Sequence, residues 1–329
     1  MNETKVILSI VIPHFNSPKT LQTLLNSIPN IDEIKVIVVD DNSTKFIDEY
    51  ENVVKAFSDR NITFLKNYTG KNSAGTCRNI AMEQAKGEWI MFADADDYYL
   101  DSWYDKVSKF FNSDNDIVFF APTSIQLDTG ETDIRHIEIA KKITAFADNP
   151  NKKNELTVRY LFAEPWSKLF RRKMVTDNKI KFEDIIVTND AMFSIKCGYY
   201  AKKIECTKDE IYCITRRKGS LTTVREKNIE DIRIRNRIRR AGFLYARLTR
   251  EEISLIGMDR LGMRVMYDGV KYGKGIVTYI KYLKKYKVPV LNLRCLNPFF
   301  IFSKMKKFSK DEKALKDYDK RYVVNHLDL

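Results

Sequence analysis

The feature that most constrains the fold is an alternation, between residues 5 and 97, of short apolar runs with amphipathic stretches. The apolar runs are KVILSIVIP, KVIVVDD, ITFLKN and EWIMFAD, and most of them are rich in Val and Ile. Strands that are covered on both faces have this composition, and strands that alternate with helices belong to βαβ units. The pattern therefore predicts an α/β fold built on a largely parallel sheet.

Between these runs, apolar residues recur at the spacing of a helix. Leu21, Leu24, Leu25 and Ile28 lie at positions i, i+3, i+4 and i+7, which predicts a helix with one face on the sheet. A second stripe consists of the small residues Ala74, Cys77, Ala81 and Ala85. We expect this second helix to begin at Ser73 as N-cap, to stop near Gly87 and to approach the sheet closely.

Three polar clusters follow predicted strands: PHFN at 13–16, DDNST at 40–44 and DADD at 94–97. Ligands of open parallel sheets bind beyond the carboxyl ends of the strands. Taken alone, DDNST is typical of solvated turn and cap residues. Three such clusters at one edge of a sheet favour a ligand site.

The third cluster has the residues of a cation site. Asp94 and Asp96 are two positions apart, so an extended backbone would place both carboxylates on one side and Asp97 on the other. Mg²⁺ and Mn²⁺ accept one or two protein carboxylates and complete their shell with water and substrate phosphates. The sequence therefore predicts Mn²⁺ or Mg²⁺ together with a diphosphate.

The order of SIVIPHFN, VIVVDDNST, NSAGTCRNIAMEQAKGEWIMFADADD, WSKLFRR and VTNDAMF resembles the family 2 glycosyltransferases of the GT-A fold. The resemblance covers roughly residues 5–220. It implies a nucleotide-sugar donor, with Pro13 and Phe15 against the nucleotide, Asp41 on the uracil and Arg78 near the base or diphosphate. It also implies that Asp94 contacts the nucleoside and that Asp96 binds the metal that bridges the diphosphate.

Transfer to a hydroxyl requires a carboxylate that accepts the acceptor's proton. Asp184 and Asp190 are the candidates, and Asp190 with Phe193 fits the spacing of the family's base, although Asn189 stands where the family usually has Glu. The other interpretation of Asp190 is a helix cap. The resemblance also implies inversion at the anomeric carbon.

Two further segments have alternative interpretations. Trp166 either stacks on a sugar ring or packs in the core. Arg216, Arg217 and Lys218 either contact the diphosphate, as the resemblance suggests, or form a solvated basic loop.

The predicted organisation is a GT-A catalytic domain at 1–224, with nucleotide-sugar binding at 5–121 and the acceptor side at 122–224, followed by a helical basic region at 225–329. In that region Ile276, Tyr279, Ile280 and Leu283 form an apolar stripe opposite several lysines. A basic amphipathic helix of this kind, next to PFFIF, is typical of an element on an anionic membrane surface. The alternative is that the stripe packs within the protein.

The first functional hypothesis is an inverting, metal-dependent glycosyltransferase that moves a hexose or N-acetylhexosamine from a UDP-sugar to a saccharide acceptor. We expect this acceptor to be lipid-linked and the reaction to belong to capsule, O-antigen or other surface polysaccharide synthesis. The net charge of +13 also admits a basic nucleic-acid-binding protein without catalysis. The aspartates at the strand ends would repel a phosphate backbone, so no nucleic acid partner is expected. A nucleotidyltransferase built on a similar sheet would carry a Gly-rich loop after its first strand. The corresponding segment here, IPHFNSPKT, has no glycine, so this class of enzyme is disfavoured.

The expected location is the cytoplasm, at the inner face of the membrane. The N-terminal MNETKVILSIVIP has neither the charge pattern of a signal peptide nor the length of a membrane span. The five cysteines are never spaced as CxxC, which disfavours a disulfide framework and a zinc site.

Overall fold

The computed structural model describes residues 5–216, 226–272 and 275–290, together with residues 299, 302, 303, 306 and 308–310. The chain divides into two compact units, Met1–Arg216 and Arg217–Leu329. The predicted boundary after residue 224 lies outside the described residues. Each unit is described by itself.

The first unit contains one sheet of eight strands with helices around it. Its strands are β1 Leu8–His14, β2 Ile34–Asp40, β3 Ile62–Lys66, β4 Trp89–Phe92, β5 Tyr98–Tyr99, β6 Ile117–Gln126, β7 Lys168–Arg171 and β8 Ile204–Arg216. Its helices are α1 Pro18–Asn26, α2 Ile47–Ala56, α3 Ala74–Gln84, α4 Trp103–Ser108, α5 Ile137–Asp148, α6 Lys152–Leu161, α7 Arg172–Asp177 and α8 Ala191–Tyr200.

The strand order is β3-β2-β1-β4-β7-β6-β8-β5. The first four strands in this order are parallel to one another, as the alternating pattern predicts. Strand β7 then runs antiparallel to both of its neighbours. The sheet is therefore mixed, and its parallel half presents the carboxyl ends of β1, β2 and β4 at one edge.

The sequence predictions for the helices α1 and α3 agree with the structure. Helix α1 buries Leu21, Leu24 and Leu25. The Ser73 hydroxyl accepts a hydrogen bond from the Thr76 amide at 3.1 Å and caps α3. The helix ends at Gln84, before the predicted stop near Gly87, because the C-cap residue Ala85 already has an extended backbone with ψ of 122°.

The described part of the second unit is helical: α9 Lys227–Tyr245, α10 Arg250–Leu255, α11 Leu261–Tyr272 and α12 Ile276–Lys285, with a short 3₁₀ turn at Met258–Arg260. Its core includes Ile234, Ile238 and Val265, and also Tyr279 and Leu283 of the predicted apolar stripe. For these last two residues the packing alternative is correct. None of the helices that the structure describes is long and apolar enough to cross a bilayer.

The arginines of α9 are largely engaged by carboxylates of their own unit. Arg233 pairs with Glu230 at 2.5 Å, and Arg235 pairs with Asp231 at 2.9 Å. Arg237 reaches Asp268 of α11 at 2.5 Å. The charges of these three arginines are therefore compensated by carboxylates of the same unit.

Candidate active site

The loops after β1 and β2 are tied together by side chains. The side-chain Oδ1 of Asn16 accepts hydrogen bonds from the Thr44 and Lys45 backbone amides, at 2.8 and 2.9 Å. The buried His14 ring contacts the Asp40 carboxylate at 2.9 Å. His14 is thus a structural residue beneath the loops, and two of the three predicted polar clusters form one connected surface.

The predicted nucleotide residues Pro13, Phe15 and Asp41 belong to these two clusters, and Asp41 is largely buried. Pro13 is the penultimate residue of β1 and is buried, whereas the Phe15 side chain is 53% exposed. The Asn67 amide donates a 2.7 Å hydrogen bond to the Asp41 carboxylate, which fixes its orientation. An exposed aromatic face beside an oriented carboxylate is an arrangement that can hold a nucleobase by stacking and hydrogen bonding.

The third cluster forms a turn, so the premise of an extended backbone at Asp94–Asp97 is wrong. The Asp97 amide donates to the Asp94 carbonyl at 3.0 Å and closes the turn. The Asp97 carboxyl faces inward, where it accepts from the Thr215 amide at 2.7 Å and from the Tyr212 hydroxyl at 3.0 Å. Asp94 and Asp96 remain partly exposed at the edge of the sheet.

The inward position of Asp97 changes its acidity. Burial, and next the charges of Asp96 and Asp94, raise the pKa of Asp97 well above its ordinary value. Asp97 therefore supports the turn from the inside, through its hydrogen bonds with Tyr212 and Thr215 of β8.

Arg78 of α3 joins the strand-end cluster to the start of α8. One guanidinium nitrogen donates to the Asp94 carboxylate at 2.5 Å, and the other donates to the Asn189 side chain at 3.0 Å. Only 5% of the Arg78 side chain is exposed. This bridge connects residues that are far apart in the sequence. Asn189, the position where the chain departs from the family pattern, serves in it as a hydrogen-bond acceptor for Arg78.

Asp190 follows directly and occupies the N-cap position of α8. Its side chain makes no capping hydrogen bond, which counts against the interpretation of Asp190 as a simple cap. Burial raises the pKa of Asp190 to about 6, the cation of Arg78 opposes this shift, and the charges of Glu164 and Asp94 reinforce it. A partly exposed carboxylate with such a pKa is suited to accept a proton near neutral pH.

The other candidate base, Asp184, is engaged elsewhere. Its carboxylate accepts from the Thr76 hydroxyl at 2.9 Å and pairs with Lys71 at 3.2 Å. The Thr76 hydrogen bond is the main cause that lowers the pKa of Asp184. Asp184 thus fastens the beginning of α3, which carries Arg78.

Two charged residues whose electrostatic influence reaches Asp190, Lys168 and Glu164, were not identified from the sequence. Lys168 is 2% exposed, donates to the Phe162 carbonyl at 2.7 Å and lies 3.8 Å from the centre of the Phe162 ring. Burial lowers its pKa to about 7, and the neighbouring Glu164 is the first influence that opposes this shift. A lysine within the mixed run WSKLF looks like a surface cation, so only the fold could reveal these two charges.

Trp166 and Arg216 have structural positions. Trp166 is 2% exposed and stacks on Tyr212 with ring centres 5.8 Å apart, so the core-packing interpretation is the correct one. Arg216 is buried at the end of β8, with a guanidinium nitrogen 3.8 Å from the buried Asp133 carboxylate. It does not belong to a solvated loop, and Arg217 and Lys218 lie outside the described residues.

Gly75 allows the close contact between α3 and the segment before α8. A Cβ atom at this position would lie 2.3 Å from the Glu183 carbonyl oxygen and 3.0 Å from Cβ of Asn189. We expect Gly75→Ala to lower the free energy of unfolding by about 1–3 kcal/mol, because backbone must move despite the better helix propensity of Ala. Thermal unfolding measures this, and Gln84→Ala at the exposed end of α3 is the control. A gain in stability for Gly75→Ala would contradict the proposed close contact.

The comparison with protein families decides the classification. The family model described as glycosyl transferase family 2 matches residues 9–177. The chain belongs to glycosyltransferase family 2. The match spans β1 to α7 and so includes Pro13, Asp41, Arg78, Asp94 and Asp96.

Two curated glycosyltransferases illustrate the similarity. Poly(ribitol-phosphate) beta-N-acetylglucosaminyltransferase TarS of Staphylococcus aureus is 28% identical over 218 residues, which are 64% of this chain and 36% of TarS. UDP-Glc:alpha-D-GlcNAc-diphosphoundecaprenol beta-1,3-glucosyltransferase WfaP of Escherichia coli is 33% identical over 96 residues, which are 29% of this chain and 37% of WfaP. The chain thus spans little more than a third of the length of either relative.

Solved structures of other glycosyltransferases share the fold. The crystal structure of Staphylococcus aureus TarS 1–349 in complex with UDP-GlcNAc matches with a TM-score of 0.63 at 20% identity, over 98% of this chain and 95% of that one. The mannosyltransferase PcManGT from Pyrobaculum calidifontis, in complex with GDP-Man and Mn²⁺, matches with a TM-score of 0.56 at 13% identity, over 85% and 74%. The predicted GT-A fold is confirmed.

The acidic turn of this family 2 transferase fits a cation that is shared with the substrate. Among the described residues, no group of three or more His, Cys, Asp or Glu side chains is placed to hold a metal. Asp94 is paired with Arg78, and the Asp96 carboxylate is partly exposed at the same turn. Mg²⁺ or Mn²⁺ held by one carboxylate, water and diphosphate oxygens requires no more than this.

Proposed function

We propose that this family 2 enzyme is an inverting, metal-dependent transferase that moves a hexose or N-acetylhexosamine from a UDP-sugar to a saccharide acceptor. The observation that carries the proposal is the Arg78 bridge, which joins Asp94 at the end of β4 to Asn189, the neighbour of Asp190. One buried guanidinium thereby holds a donor-side carboxylate and the residue next to the proposed proton acceptor. Family membership supplies the class of reaction.

On the donor side, Pro13, Phe15 and Asp41 bind the uridine, with Arg78 and Asp94 beside them. Asp41 is already oriented by Asn67, and Arg78 is already oriented by two acceptors. Preorganised groups of this kind lower the entropic cost of binding, so the nucleotide meets a surface that needs little rearrangement.

Asp96 would hold a Mn²⁺ or Mg²⁺ ion together with the diphosphate. When bound, the ion would stabilise the negative charge that develops on the departing nucleoside diphosphate. The backbone of Asp96 is anchored from β8, because its carbonyl accepts a hydrogen bond from the Thr215 hydroxyl. The carboxylate is therefore presented from a fixed turn.

On the acceptor side, Asp190 takes the proton from the attacking hydroxyl. With a pKa of about 6 it is ionised at neutral pH and still basic enough to accept a proton. One displacement at the anomeric carbon inverts its configuration and requires no covalent intermediate. The proposed reaction therefore requires only one carboxylate on the acceptor side of the site.

We further propose a lipid-linked or polymeric saccharide acceptor in bacterial surface polysaccharide synthesis. The names of the relatives support this class: WfaP acts on a diphosphoundecaprenol-linked GlcNAc, and TarS acts on poly(ribitol phosphate). The enzyme would then work at the cytoplasmic face of the membrane.

The test is thermal stabilisation of the purified protein by UDP, GDP, dTDP and CMP, each with and without Mn²⁺. Ligand binding raises the melting temperature in proportion to the logarithm of the ligand excess over its dissociation constant. We expect UDP with Mn²⁺ to give the largest shift, and we expect Asp96→Asn to remove the part of that shift that depends on Mn²⁺.

Asp105→Asn is the matched control, because Asp105 is an exposed carboxylate on α4 away from the acidic turn. It should keep the full shift. Equal stabilisation by all four nucleotides, or an undiminished metal effect in Asp96→Asn, would overturn the assignment of the donor site.

A further inference from the structure

The second unit exposes apolar side chains on α11 and α12 that its own core leaves outside. Val270 is 66% exposed and Val277 is 67% exposed. A cavity of about 470 Å³, lined by Met263, Met266, Val270 and Ile276 among others, lies on the same helices. This surface differs from the predicted stripe, whose Tyr279 and Leu283 are buried.

Two exposed aromatic side chains follow in the sequence. Phe302 is 71% exposed and Phe299 is 85% exposed. Phe308 lines the cavity between the apolar side chains of α11 and α12. Exposed apolar side chains in such number favour contact with another apolar phase rather than with water alone.

The charged side chains of residues 269–310 are all positive. Residues 269–310 contain eleven Lys or Arg residues and neither Asp nor Glu. Lys281 and Lys284 of α12 are exposed, and no carboxylate of α11 or α12 follows Asp268. The segment therefore attracts an anionic partner and repels a second copy of itself.

We propose that the surface formed by Val270, Ile276, Val277, Lys281 and Lys284 binds the surface of a bilayer that contains anionic phospholipids. The apolar side chains would enter the boundary between headgroups and acyl chains, and the lysines would pair with the phosphates. A nucleic acid would satisfy the lysines but would leave the two valines in water. The combination of exposed apolar side chains with exposed lysines is the reason for choosing a membrane.

This binding is independent of the transfer reaction and is tested separately from it. The full chain is sedimented with vesicles of phosphatidylcholine, with or without an equal share of phosphatidylglycerol. We expect at least about tenfold tighter binding to the anionic vesicles at low salt and a marked loss at high salt, because the lysine–headgroup attraction is screened.

Two double variants separate the contributions to binding. Lys281→Glu with Lys284→Glu should weaken binding to anionic vesicles by about tenfold or more. Val270→Ser with Val277→Ser should weaken it several-fold at constant charge. Lys55→Glu with Lys109→Glu, at exposed positions of the first unit, has the same change in net charge and should leave binding unchanged.

Melting curves of each variant show whether the fold is kept. Equal binding to neutral and anionic vesicles, or an equal loss in the control variant, would overturn the proposal. Tighter binding to a DNA duplex than to anionic vesicles, with no effect of the valine substitutions, would also overturn it and would identify a nucleic-acid surface instead.

Discussion

Replacing Asp190 with Asn should lower kcat by about 10²–10⁴-fold, the usual contribution of a positioned general base. Asn has nearly the same shape as Asp and keeps the local packing, but it cannot accept the proton of the acceptor hydroxyl. UDP binding should be unchanged, because Asp190 lies on the acceptor side. Steady-state kinetics with a UDP-sugar, together with UDP-induced thermal stabilisation, measure the two properties separately.

The pH dependence gives a second readout of the same residue. In the wild-type enzyme kcat/KM should fall tenfold per pH unit below about pH 6, as Asp190 becomes protonated. The matched control is Asp184→Asn, which removes a carboxylate that only fastens α3. A loss of activity in the control equal to that in Asp190→Asn, or a profile without an ionisation near pH 6, would contradict the assignment of the base.

The same substitution should stabilise the fold. The pKa of Asp190 in the folded protein, about 6, lies above the ordinary aspartate value of 3.8, so the folded protein carries an unfavourable charge above pH 6. Asp190→Asn should therefore raise the free energy of unfolding at pH 8 by roughly 2 kcal/mol. The gain should vanish near pH 4, where the carboxyl is protonated in the folded state. A variant less stable than wild type at pH 8 would show that the carboxylate serves the fold.

Arg78→Met should have the second large effect, because it removes the bridge between Asp94 and Asn189. Both acceptors would lose their partner, and the expected loss of unfolding free energy is about 2–4 kcal/mol, reduced from that of a fully buried pair since Asp94 is partly exposed. We also expect weaker UDP binding and lower kcat. Thermal unfolding and kinetics on the same sample measure both.

Arg60→Met is the matched control for Arg78→Met. Arg60 also donates two hydrogen bonds, to the Leu25 and Ile28 carbonyls, but it lies away from the acidic turn. It should lose stability without a change in KM for the UDP-sugar. If both variants retain wild-type KM and kcat when folded, Arg78 has only a structural role.

The sequence predicted the parts of the fold that depend on local patterns. The helical spacing from Leu21 to Ile28 and the hydroxyl of Ser73 each report on neighbours within one turn of helix, and both predictions agree with the structure. The continuous apolar runs likewise predicted the parallel half of the sheet. Short-range periodicity carries this information directly.

The interactions of the site were less accessible. The contact of Arg78 with Asn189 joins positions 111 residues apart, and no spacing rule describes it. The turn at Asp94–Asp97 depends on hydrogen bonds from β8, so the premise of an extended backbone failed. Trp166 and Arg216 were ambiguous because burial depends on the whole fold, and the structure buries both.

The inward position of Asp97 has a consequence for the electroneutrality of the site. Three aspartates at a strand end would normally repel one another and the diphosphate. Here Asp94 is neutralised by Arg78, and the raised pKa of Asp97 favours its uncharged form. The cluster therefore carries less negative charge than three ionised carboxylates would. In the proposed metal-dependent reaction, a divalent ion at this turn would keep more of its positive charge for the diphosphate.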